Sequence, residues 1–234
     1  MKCVVAPDIP NNWASLEPFT ISSPENILNA PRPAPVSLRH VFGHMVPDLV
    51  LGALAQALPG KILAEGAGAL WNIHMSVRPV AGTAGRRAEI LMFNSGGMGA
   101  RPGLDGLSAT AFPSGVMTMP IEATEHTGPV VIWRKELRPD SGGDGEHRGG
   151  LGQVIEIEPA QGHVFDFSAM FDRIGTAPKG RDGGQDGATG RAMLDDGTQL
   201  RPKGWQHVPE GRRLVLHLPG GGGYGEPSRR SPKA

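Results

Sequence analysis

The sequence predicts a β-rich α+β fold. Three observations predict it: one apolar stripe at helical spacing in the first quarter of the chain, a succession of later strand-like segments, and glycine-rich turns between them. Residues 1–40 read as extended chain and turns, because Pro7, Pro10, Pro18, Pro24, Pro31, Pro33 and Pro35 recur too often for a helix. Phe19-Thr20-Ile21 is the short strand candidate of that region. From Leu38 the apolar positions Val41, Met45, Leu49, Leu51, Leu54, Ala55 and Leu58 recur at spacings of three and four, and Pro59-Gly60 ends the pattern. Pro47 lies inside this stripe, so either the helix kinks there or it starts near Val46 and spans about 46–58 with the proline in its first turn. Residues 61–68 then read as a small-residue loop. Strands are expected over 70–77, 88–93, 130–137, 153–157, 163–171 and 213–218, and the Gly/Asp/Lys-rich stretch 175–190 as one long loop.

Composition excludes several classes. At 234 residues the chain has the size of one large domain or two small ones. Its 35 glycines and 22 prolines come close to a quarter of the chain, yet show no Gly-X-Y period, so a collagen-like fold is excluded. Lys plus Arg (23) balance Asp plus Glu (23), which argues against a nucleic-acid or membrane-surface binder; the one local surplus is the tail Arg229, Arg230, Lys233. The single cysteine, Cys3, cannot close an internal disulfide, and the start MKCVVAPDIP lacks the apolar stretch of a secretory signal. The longest apolar run, 49–58, is about half a membrane span. A cytoplasmic protein is the expectation.

Four glycine clusters carry the strongest signal: SGGMGARPGLDG (95–106), RPDSGGDGEHRGGLG (138–152), KGRDGGQDG (179–187) and PGGGGYGEP (219–227). Such loops either present backbone N–H groups to an anion or an amide, or form tight turns between strands, and composition leaves both open. None has the G-x-x-x-x-G-K-[ST] form, so ATP binding by this chain is not expected. His40, His44 and Asp48 are spaced for one helical face, but a helix that starts at Pro47 leaves both imidazoles outside it, so capping or surface roles are expected for all three. No G-x-S-x-G elbow occurs, and no base stands near Cys3 in the sequence. Asp140 and Asp144, with Glu146 and Arg148 following, make a carboxylate-bearing turn that names no reaction by itself.

In chain order, PDIPNN (7–12), LGALAQALPGKILAEGAG (51–68), SGGMGARPGLDGLSATAFPSG (95–115), MPIE (119–122), ELRPDSGGDGEHRGGLG (136–152), FDR (171–173) and LPGGGGYGEP (218–227) resemble the hydantoinase B/5-oxoprolinase family. The resemblance implies a hydrolase that opens cyclic amides such as hydantoins or 5-oxoproline together with a hydantoinase A-type, ATP-using partner. Relatives in the superfamily are the large subunits of acetone and acetophenone carboxylases. By this likeness residues 1–227 correspond to the C-terminal part of a hydantoinase B-type domain, from a split gene or a truncated frame, followed by a disordered basic tail at 228–234. Further partners implied are the missing N-terminal half and a small-molecule cyclic amide; no nucleic acid or membrane is expected. The family's divalent metal is held by Asp and His motifs of that N-terminal half, so no metal ligand is expected in this chain, and ATP is used by the partner. One departure is Asn12-Trp13-Ala14, where the family commonly has Asn-x-Gly.

The resemblance points to Gly97, Arg101, Asp105, Arg138, Asp140 and Ser141 as substrate-binding residues on two loops that wall a cavity, while catalytic residues stay unassigned. The chain is expected to be inactive alone. The rival expectations are a non-catalytic assembly module and a subunit of an acetone-carboxylase-like enzyme.

Overall fold

Strand periodicity decides the two layers of the fold, because side chains that alternate across a strand leave one apolar face per sheet to be buried. The computed structural model describes residues 2–22, 24–25, 39–68 and 70–231. Its strands are β1 (Trp71–Pro79), β2 (Ala88–Asn94), β3 (Val130–Leu137), β4 (Gln153–Pro159), β5 (His163–Met170), β6 (Arg191–Leu194), β7 (Lys203–Val208) and β8 (Leu214–His217). They form two antiparallel four-stranded sheets, ordered β2-β1-β5-β7 and β3-β4-β8-β6. In β1 the inward set is Trp71, Ile73, Met75 and Val77; in β5 it is Phe165, Phe167 and Ala169. These meet Ile155, Ile157, Leu214 and Leu216 of the other sheet in one core, where each fully buried large side chain contributes roughly 1.5–3 kcal/mol. Trp71 stacks on Phe171 at 4.4 Å between ring centroids and donates its indole N–H to the Asp172 carbonyl.

The β-rich α+β class expected from the sequence is the one observed. The six expected strands correspond to β1–β5 and β8 with ends moved by a few residues. Strands β6 and β7 are additional to them: β6 is four residues long, and β7 (KGWQHV) exposes most of its length, so neither carries a strong apolar pattern. The main helix, α4 (Val46–Ala55), follows three shorter ones, α1 (Lys2–Val5), α2 (Trp13–Leu16) and α3 (Arg39–Gly43). Of the two alternatives at Pro47, the structure takes the start at Val46 with the proline in the first turn. The helix ends at Ala55 rather than 58, and Leu49, placed on its apolar stripe, is 65% exposed. Residues 1–40 are not wholly extended: α2 is capped by Asn12, whose side chain accepts from the Ser15 N–H at 3.0 Å. Residues 19–21 form no strand. The expectations for Leu38 and for Pro31, Pro33 and Pro35 lie outside the described residues. A further short helix, α5 (Ile121–Thr127), begins at the MPIE segment.

All four glycine clusters leave the sandwich at one end. The register places Trp71, Asn94, Met170 and Lys203 along the end of the first sheet, and Leu137, Gln153, Arg191 and His217 along that of the second. The loops that follow or precede these residues hydrogen-bond to one another across the gap between the sheets, as in Gly97 N–H to Pro219 O (3.0 Å) and Gly150 N–H to Met98 O (2.8 Å).

Candidate functional site

The glycine loops pack main chain against main chain. A Cβ on Gly97 would sit 1.9 Å from the Gly150 carbonyl oxygen, and one on Gly149 would sit 1.9 Å from that of Gly221. Here glycine is required by close approach rather than by a left-handed backbone. The layer is held by bonds such as Gly221 N–H to Gly150 O (2.9 Å), Gly150 N–H to Met98 O (2.8 Å) and Ala100 N–H to Gly222 O (2.9 Å). Many of its N–H groups are therefore committed to neighbouring carbonyls.

The six residues expected to bind substrate divide into two groups. Gly97 is buried in the layer, and its N–H is taken by Pro219. Arg138 donates to the carbonyls of Thr189 (2.8 Å) and Leu218 (3.1 Å), bracing the end of β3 against the segments around β6 and β8; burial pulls its pKa down. Ser141 is fully buried, donates to Arg138 O at 2.7 Å and accepts from Gly152 N–H at 2.9 Å. Asp140 is exposed and holds a left-handed turn at φ 55°. Only Arg101 and Asp105 face a common cavity.

That cavity measures about 500 Å³, and its ionisable lining comes from Arg101, Asp105, Glu146, His147, Arg229 and Arg230. The loop that carries the first two is pinned by an Arg101–Leu104 bridge and by the Arg148 N–H, which donates to Asp105 Oδ1 at 2.8 Å. Arg230 grips both oxygens of Asp105 at 2.9 Å each and donates to the Glu146 carbonyl at 3.1 Å. The Asp105 bond holds the Arg230 pKa above its ordinary value. His147 Nδ1 lies 4.0 Å from Asp105 Oδ1. Arg101 donates one Nη2 hydrogen to the Asp105 carbonyl at 2.9 Å, and its Nε is enclosed without a partner. The wall at 229–231 comes from the segment 228–234 expected to be a disordered tail: a 3₁₀ turn spans Pro227–Arg229 and Arg230 binds back to Asp105, while 232–234 lie outside the described residues.

Sequence motifs single out neither His147 nor Arg230 as a site residue. His147, inside the 138–152 segment, reads as a singly placed structural or surface histidine, and Arg230 reads only as surplus charge in the tail. Another group that no motif assembles is buried beneath the glycine layer, where Arg173 of the FDR segment bridges Asp48 (3.2 Å) on α4 and Glu65 (3.0 Å). Burial pushes Asp48 up to about 6, against the opposing pull of Arg173, with Glu65 adding to the rise. Asp48 is thus buried and tied to Arg173 rather than at the surface as expected, and the break between α3 and α4 separates it from His40, so the His40–His44–Asp48 face is not continuous. Among the described residues no three His, Cys, Asp or Glu side chains converge in the way a metal ion needs. A further groove of about 480 Å³ lies on the outer face of the first sheet, between His74, Leu91 and Trp205. No helix among the described residues is long and apolar enough to cross a membrane.

A two-sheet sandwich closed at one end by a main-chain glycine layer, with a charged cavity beside it, defines the class to which the comparisons then give a family. Residues 1–227 match the family described as hydantoinase B/oxoprolinase, and the chain belongs to it. The caprolactamase subunit beta of Pseudomonas jessenii is 31% identical over 234 residues, covering 87% of this chain and 37% of that one. The crystal structure of the ATP-dependent caprolactamase from the same organism superposes with a TM-score of 0.73 at 30% identity, again over 87% of this chain and 37% of that chain. 5-Oxoprolinase 1 of Arabidopsis thaliana is 33% identical over 96% of this chain and 17% of its own length. A nucleotide-free acetone carboxylase shares the fold alone, at 16% identity and a TM-score of 0.51 over 73% of this chain and 27% of that chain. The chain spans well under half the length of these relatives.

Proposed function

We propose that this chain serves an ATP-dependent cyclic-amide hydrolase as part of its B-type subunit. In this reading a hydantoinase A-type partner uses ATP to activate the ring carbonyl, and the complex containing this chain hydrolyses the activated amide, with hydantoins or 5-oxoproline as the substrate class. The observation that carries the reading is the likeness in both sequence and fold to the caprolactamase beta subunit, a component of an enzyme described as ATP-dependent. Within the chain, the cavity around Arg101 and Asp105 gathers charged groups around an open space at the glycine-loop end, and it is where a small polar ring can be hydrogen-bonded. Gly97, Arg138 and Ser141 support that cavity from within the layer rather than touching the ring.

The test is ring opening coupled to ATP hydrolysis, measured for the isolated chain and for the chain co-produced with an N-terminal half and a hydantoinase A-type subunit. The isolated chain is expected to be inactive and the complex active. Substrate-dependent turnover by the chain alone overturns the dependence on partners. Arg101→Ala is expected to lower turnover or substrate affinity in the complex; if both stay unchanged, the cavity is not the substrate site.

A further inference from the structure

The charge balance inside the 500 Å³ cavity is set by a pairing that the sequence does not reveal. Asp105 and Arg230 neutralise each other through two bonds of 2.9 Å, and outside the cavity Arg148 pairs with Asp144 at 3.0 Å. Arg101 and Arg229 then stand against the single carboxylate of Glu146, so the space between them favours negative charge. Arg101 makes one hydrogen bond with a head group that has five N–H donors, and the Nε that is left over is enclosed. That Nε is shut off from the cavity, but the residue lines it and keeps terminal N–H donors, beyond the one given to the Asp105 carbonyl, for a ligand oxygen. The planar fork of Arg matches two oxygens on one carbon or phosphorus.

We infer that this cavity is an oxyanion site, in which Arg101 and Arg229 hold the carboxylate or phosphate group of a small molecule. Arg230 is a positioning residue: by clamping Asp105 and the Glu146 carbonyl it ties the 227–231 strap across the mouth and removes the acidic charge that would repel the anion. The inference deepens the function proposed above and takes only its biological meaning from it: the anion is then a carboxylate carried by the ring, or the phosphate of an activated amide. The binding chemistry stands on the cavity alone.

The experiment is isothermal titration calorimetry of the full chain with inorganic phosphate, and separately with acetate, at low ionic strength. At least one anion is expected to bind with Kd near or below about 1 mM, and Arg101→Gln to weaken it about tenfold or more. Arg87→Gln, at an exposed arginine remote in sequence, is expected to bind as the parent does. Tighter binding of phosphate assigns the phosphoryl source, and tighter binding of acetate assigns the carboxylate. No heat with either anion, or equal weakening by Arg101→Gln and Arg87→Gln, overturns the inference. Should Arg101→Gln lose the native circular dichroism spectrum, Arg229→Gln carries the test, since that side chain is exposed; unchanged affinity there likewise overturns it. No turnover is read, so failure of anion binding and failure of ring opening in the complex are separate results.

Discussion

Gly97→Ala places a methyl group where the structure has a carbonyl. The new Cβ would lie 1.9 Å from Gly150 O, 2.5 Å from its carbon and 2.7 Å from the Gly221 nitrogen, so the segments of the layer must part by about 1 Å. Gly150 O cannot retreat without lengthening the Gly221 N–H bond of 2.9 Å, and Gly150 is also held through its own N–H to Met98 O at 2.8 Å. Overpacking of this kind costs about 1–3 kcal/mol, and an orphaned buried N–H about 1–3 kcal/mol more, so roughly 3–5 kcal/mol is expected in total. That is a large part of an ordinary domain's stability. Gly175→Ala is the matched control: nothing lies within 4 Å of its added Cβ and its φ is outside the left-handed region, so a change between zero and a gain of about 1 kcal/mol is expected. Urea unfolding followed by circular dichroism reads both as shifts in midpoint at constant slope. If Gly97→Ala falls within about 0.5 kcal/mol of the parent, the layer yields freely and the reasoning from main-chain contact is refuted.

Ser141→Ala leaves the buried Gly152 N–H without its acceptor and is expected to cost about 1–3 kcal/mol, read by the same unfolding assay, while anion binding at the Arg101 cavity is retained. The Asp48 carboxyl, at about 6 in the folded protein against 3.8 for the ordinary group, favours the fold when protonated. Its contribution is present in full below about pH 4 and is lost as pH rises through about 6, a difference of about 3 kcal/mol. The unfolding free energy of Asp48→Asn should therefore lack that part of the parent's decline between about pH 4 and pH 7; parallel profiles for the two proteins would show that Asp48 titrates normally. Arg230→Gln breaks a partly exposed clamp and is expected to cost about 1 kcal/mol at low salt, less in about 0.5 M salt; equal cost at both salt concentrations counts against an electrostatic role.

Fold class, most strands and the family are legible in the order of residues alone. Alternation such as Trp71, Ile73, Met75, Val77 reports burial directly, because a period of two can be satisfied only by a strand with one face in a core. The helix start at Val46 is equally legible, since proline fits the first turn and not the interior. Short β6 and the mostly exposed β7 have no such pattern; their partners β8 and β5 decide them, so they cannot be read locally. The glycine clusters are visible as motifs, but whether each N–H faces a ligand or another loop depends on segments more than a hundred residues apart in sequence, such as Gly97 and Pro219. Tertiary structure answers that question for Gly97 and Ser141 by burying them, and leaves Arg101 and Asp105 at the open edge. It also brings Arg230 back to Asp105 across 125 positions of sequence. Composition records the charges of that pair, while only the fold fixes the distance between them, and on that distance depends whether the cavity repels an anion or holds one.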